Sequence, residues 1–182
     1  MFRPAATYRR LAENYPPLGA AHALRRPAFV TLVTGCAIAI AGTGRVTAPL
    51  VTSLTLSWCW TVLWQLLAAA VIVRSAPVPL TLAQRIDLLF AGHAPWSLWL
   101  LTMAAWSRLF PQFTDLYAIL VTVVVPAAWT TLIVHGFCSG ALGLPQRGAI
   151  RRTIAHQALI WGLAFFYVAW AVALWPRLSS LA

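Results

Sequence analysis

A chain of 182 residues that is 61% hydrophobic, 9% charged and +0.79 in mean hydropathy carries more apolar surface than a water-soluble domain can expose. All 13 basic residues are arginine and only Glu13, Asp87 and Asp115 oppose them, giving a formal charge of +10. The arginines stand in short segments between apolar runs, a pattern that points away from nucleic acid and toward topology signals and anionic headgroups.

Residues 1–26 form a polar, Arg-rich segment broken by Pro16-Pro17. A short amphipathic turn around Tyr8, Leu11 and Tyr15 is suited to rest on the membrane. The remainder, 27–182, reads as a single five-span domain, so the expected fold class is an all-α integral membrane protein. The first span, 28–44, lies within the 18 uncharged residues between Arg26 and Arg45. Those 18 residues reach only about 27 Å and just cover a hydrocarbon core. Gly35 and Ala39 give it a small-xxx-small surface for close packing. Ala39-Ile40-Ala41 also resembles a signal-peptidase site, but 26 preceding residues are long for a signal sequence and mark the segment as an anchor.

The second span, 48–73, carries Ser53, Ser57, Trp60 and Trp64 on one helical face, with Gln65 on another. Gln65 is its most polar side chain and calls for an interhelical hydrogen bond in lipid. After Arg74, Pro77 and Pro79, Thr81 and Gln84 form a capping-box pattern, and Leu82, Ile86 and Leu89 recur at helical spacing. This stretch is too short and too charged to span, so 82–91 is expected to be an interfacial helix that Gly92 stops. Pro95 opens the third span, 95–110, with Trp96, Trp99, Met103 and Trp106 on one face. Thr114-Asp115 offers an N-cap to the fourth, 116–138. Pro126 predicts a kink there, its freed carbonyl within reach of Thr122, Thr130 and Thr131. Gly136, Gly140, Gly143 and Pro145 end that helix, and Gly136 to Gly140 reads as a packing or capping element. The fifth span, 154–175, closes on an interfacial Trp175-Pro176-Arg177 anchor.

Five spans place 5, 2 and 3 arginines on the side of the N-terminus and 1, 1 and 1 on the other. The positive-inside rule then makes the N-terminus cytoplasmic and the C-terminus external, in a cell (inner) membrane. Exclusive use of arginine is associated with GC-rich genomes and suggests a bacterium. The five-span, N-inside plan resembles that of Yip1-type membrane proteins, and Asp115-Leu116-Tyr117 is similar to an acidic element of that family. Here the element begins a span on the opposite side, so the resemblance is one of architecture and assigns no residue a role.

Sorted by depth, Asp87, His93, His135, Cys138, His156, Gln157 and Gln65 gather toward the cytoplasmic half. His93, His135 and His156 are the candidate cofactor-binding residues: two histidines on facing helices can hold haem iron or a chlorin magnesium, while single rings also suit the headgroup region. His135 and Cys138 share a face at i and i+3. The ten tryptophans could line a pigment or quinone site, or mark interfaces and helix contacts. Cys36, Cys59 and Cys138 lie inside apolar runs without paired spacing, which defines neither a disulfide framework nor a metal motif. No acid or arginine sits at the centre of a span, and there is no P-loop, dinucleotide fingerprint, HExxH or nucleophile elbow. Three functions are compatible with this pattern. The first is a non-catalytic accessory or scaffold subunit, or a membrane-organising protein, partnered by the lipid bilayer and other membrane subunits. The second is a haem- or pigment-binding redox or photosynthetic subunit using His93 and His135. The third is a small-molecule permease working around Gln65 and Pro126.

Overall fold

The computed structural model describes residues 3–74, 78–113 and 116–179, with residues 116, 120, 168 and 171–179 described by backbone alone. Among the described residues every element is helical: α1 (Pro4–Glu13), α2 (Ala20–Ala23), α3 (Arg25–Thr43), α4 (Ala48–Val73), α5 (Leu82–Phe90), α6 (Ala94–Leu109), α7 (Leu116–Gly140) and α8 (Gln146–Ser179). Four stretches are long and apolar enough to cross a membrane: Ala20–Thr43, Ala48–Val73, Leu82–Leu109 and Tyr117–Gly140. The expected Thr114-Asp115 cap and the side chains of the Trp175 anchor lie outside the described residues.

Local chemistry accounts for most boundaries. Prolines fall in the first turns of α4 and α6, where a missing N–H costs nothing. Thr81 and Gln84 form the expected capping box, with Thr81 N donating to Gln84 Oε1 at 2.8 Å and Gln84 N donating to Thr81 Oγ1 at 3.3 Å. Gly44 ends α3 in the left-handed region (φ 68°), its N–H donating to Ile40 O. Gly143 (φ 60°) plays the corresponding part beyond α7, where Ala141 and Leu142 both donate to Phe137 O.

The five long helices close into a ring in which each touches two neighbours: α3 packs on α4 and α6, α7 on α6 and α8, and α4 on α8. Gly35 lets α3 approach α4 closely, since a Cβ there would stand 2.9 Å from the backbone nitrogen of Thr55. The tightest core is not at the middle of the ring but at one end. Ala69, Ile72 and Val73 of α4, Leu88 and Leu89 of α5, and Val134 and Phe137 of α7 are buried there, with Tyr8 of α1 set among them. We call this end the N-terminal face.

Several expectations change. Tyr8 and Leu11 form part of α1, which packs along α7 with the Tyr8 ring edge-on to Phe137 at 5.5 Å, and Tyr15 follows the end of that helix. Gly136 and Gly140 provide the seat: a Cβ at Gly136 would stand 2.6 Å from Pro4 Cβ, and one at Gly140 2.9 Å from the Ala5 carbonyl carbon. Gly92 does not stop α5, because the chain stays right-handed through a 3₁₀ turn at Ala91–His93 and passes directly into α6. Its missing Cβ makes room for Tyr8 and Ile133. The threonines near Pro126 also turn elsewhere: Thr122 donates to Ala118 O and Ile119 O, and Thr131 to Ala127 O. Thr130 Oγ1 is buried with no partner among the described residues.

Candidate functional site

Polar side chains on the bundle fall into two groups with different surroundings. The first locks the N-terminal segment to α5. Asp87, 5% exposed, accepts a hydrogen bond from Tyr15 Oη and an ion pair from Arg26 Nη1 at 3.0 Å, both at Oδ2. The same Arg26 nitrogen donates to the Asp87 carbonyl at 2.8 Å. Gln84 extends the lock, its Nε2 donating to Pro16 O at 2.9 Å. Burial raises the Tyr8 phenol to about 12, although Arg26 pulls the other way. Tyr15 is also raised to about 12, by burial first and then by its bond to Asp87, against the pull of Arg26.

Two further arginines close the open end of α4. A helix leaves its last four carbonyls without internal partners. Arg85 donates through Nη1 to Val73 O at 2.7 Å, through Nε to Leu80 O at 2.8 Å and through Nη2 to Val78 O at 2.9 Å. Arg152 donates to Ile72 O. Counted along the chain, these arginines and Arg26 cannot be told from the rest. Only the carbonyls and the carboxylate they reach, 5 to 80 positions away, distinguish them.

The second group faces inward across the ring. His93 stacks on Phe90 at 4.8 Å with an interplanar angle of 14°. It stands close enough to His156 for charge on one ring to act on the other. His156 is 5% exposed, and its Nδ1 has no partner among the described residues. The next residue of α8, Gln157, accepts at Oε1 from Trp161 Nε1 one turn on at 3.1 Å, and its Nε2 is buried with no partner among the described residues. Trp161 meets Trp96 at 6.1 Å and Trp96 meets Trp99 at 5.6 Å, carrying the cluster across from α8 to α6. Among the described residues Trp99 Nε1 is buried without a partner, and so is Gln65 Oε1 on α4, where an interhelical bond was expected.

Of the three candidate histidines, His93 and His156 stand within electrostatic reach of each other. His135 is half-buried on α7, and among the described residues no hydrogen bond or ring contact joins its side chain to the other two. Cys138, a turn away, is fully buried beside Thr153 and Arg152. Among the described residues no three metal-ligating side chains stand together. What the inward cluster offers is a pair of imidazoles with amide and indole donors left unpaired in an apolar surround, where an unmade hydrogen bond costs ~1–3 kcal/mol. Gln157 and Trp99 could donate to a polar guest, and a neutral imidazole could ligate or accept a proton. The pairing escapes sequence reading because all three histidines have similar expected depth and only helix rotation separates them.

No family model matches the chain, and no curated protein or solved structure is similar to it.

Proposed function

We propose that this chain is a five-span, N-inside protein of the cell membrane that acts without catalysis, as an accessory or scaffold component of a membrane assembly. In this reading α8 supplies the fifth span over 154–175, and the ten-to-three arginine bias orients the bundle. α5 lies at the cytoplasmic interface. One observation carries the proposal: only 22% to 39% of each apolar window is buried within the protein. The remaining faces, with Leu56, Leu63, Leu98 and Val125 exposed, are left for lipid or for other helices. The protein invests its own tight packing at the cytoplasmic end and keeps its flanks open.

Gentle purification from the native membrane tests this, with co-purifying chains identified and an absorbance spectrum taken on the same sample. A colourless preparation with stoichiometric partner chains is the expected result. A chain that runs alone in every mild detergent would overturn the scaffold role.

The inward cluster favours a second reading, a cofactor-binding redox or pigment subunit, with His93 and His156 as the ligand pair. It requires a Soret or chlorin band that is lost in His93→Ala and in His156→Ala and retained in His135→Ala.

A further inference from the structure

Two cavities meet along the seam between α6 and α7. The one nearer the N-terminal face, about 270 Å³, lies beneath α1 and is bounded by Tyr8, Gly92 and Ile133. The deeper one, about 570 Å³, reaches Thr102 and Pro126. Ala94, Pro95 and Trp129 line both, so the two volumes form one groove. Leu98, Val125 and Trp129 are exposed along it, which opens the groove sideways to the surroundings of the bundle.

Its length and its mouth both constrain the occupant. From Gly92 to Thr102 the groove follows α6 for about ten residues, or roughly 15 Å of helix. That is half of a hydrocarbon core of ~30 Å, the depth of one leaflet. At the mouth, α1 turns Thr7, Tyr8 and Leu11 toward the cavity. Arg3 and Arg10 stand one helical turn before and after Thr7 on the same flank, and both are exposed. A second helix, ~10 Å across, could enter only by displacing α1 from its seat on Gly136 and Gly140. A thin flexible chain passes beneath it.

We infer that this groove holds one acyl chain of an anionic phospholipid from the leaflet that faces the N-terminus, with the lipid phosphate against Arg3 and Arg10. The walls are apolar where the chain lies, and two exposed arginines flank the mouth on α1, so shape and charge favour the same molecule. The inference rests on the membrane placement proposed above.

The test offers the full-length protein, purified in mild detergent, to mixed vesicles of phosphatidylglycerol and phosphatidylcholine. Retained lipids are then counted by native mass spectrometry. The expected result is one phosphatidylglycerol per chain, preferred over phosphatidylcholine by about fivefold for each arginine. Ala94→Phe, which fills the junction of the two cavities, removes the retained lipid, and Leu98→Trp does so from an exposed position at the deeper end. The double variant Arg3→Gln, Arg10→Gln keeps one lipid but takes the two headgroups equally. Undiminished lipid in both filling variants, each with an unchanged unfolding temperature, overturns the groove. Unchanged headgroup preference in the double variant overturns the role of the arginines. A protein that does not enter vesicles at all refutes the membrane placement instead, so the two failures are distinct.

Discussion

At Asp87 a single carboxylate holds two elements that the chain separates widely. Its Oδ2 takes Tyr15 and Arg26 together, so removing it takes the acceptor from the Tyr15 phenol and leaves the half-exposed Arg26 guanidinium only the main-chain carbonyl of residue 87. Asp87→Ala should lower stability by about 2 kcal/mol, the scale of a hydrogen bond to a charged group plus one stranded donor. Unfolding in detergent, followed by circular dichroism, reads this directly, and Tyr15→Phe should cost about half as much. The same residues set a pH limit. Tyr8 and Tyr15 each have a folded pKa raised to about 12 from 10.0. A raised acid keeps its proton more firmly when folded, so this contribution is complete below pH 10 and disappears as pH climbs through 12. Tyrosine absorbance compared with Tyr8→Phe and Tyr15→Phe variants should show that both phenols ionise late, together with loss of structure, and an ordinary titration of Tyr8 would contradict the burial of α1. None of this is legible in order along the chain. Asp87 stands out there as a rare acid, but its partners are two of several interchangeable tyrosines and arginines.

The helices themselves follow from apolar run length and proline placement, and α4 coincides with its expected 48–73. Glycines are where that reading stays open, because a glycine in sequence is equally a stop, a hinge or a place of close approach. Gly143 is a stop, with positive φ; Gly92, Gly136 and Gly140 are places of close approach, and what approaches is α1, joined at Gly92 by Ile133 of α7. Gly140→Leu should therefore leave α7 helical and expel α1, at a cost of roughly 1–3 kcal/mol. Limited proteolysis would then cut near Arg9 and Arg10, while the remainder of the chain stays protected. Protection of α1 in that variant would show that its seat lies elsewhere. The inward cluster has the same origin: the residues were identifiable as rare polar groups in apolar spans, but helix rotation, which pairs His93 with His156 and leaves His135 aside, is fixed by packing partners.

Taken whole, the molecule is asymmetric along its axis. One end is interlocked by α1, α5 and the arginine caps on α4, and the other carries lighter ties such as Arg108 lying over Gly44 at the end of α3. That cation faces the negative end of the helix dipole. With Cys36, Cys59 and Cys138 replaced by alanine, Arg45→Cys and Arg177→Cys should react with an impermeant maleimide on intact cells. Arg147→Cys should react only after permeabilisation. Labelling of position 177 from the inside alone would remove the fifth span. The interlocked end also dictates an order of assembly. Helix α1 emerges ~130 residues before the glycine seat on α7, and at about 5–20 residues per second the seat arrives on the order of ten seconds later. During that wait the inner face of α1, with Tyr8, has no surface of its own chain to cover it. Helix α1 is synthesised before α7 yet can be placed only after it, and its docking can report that α7 has been inserted.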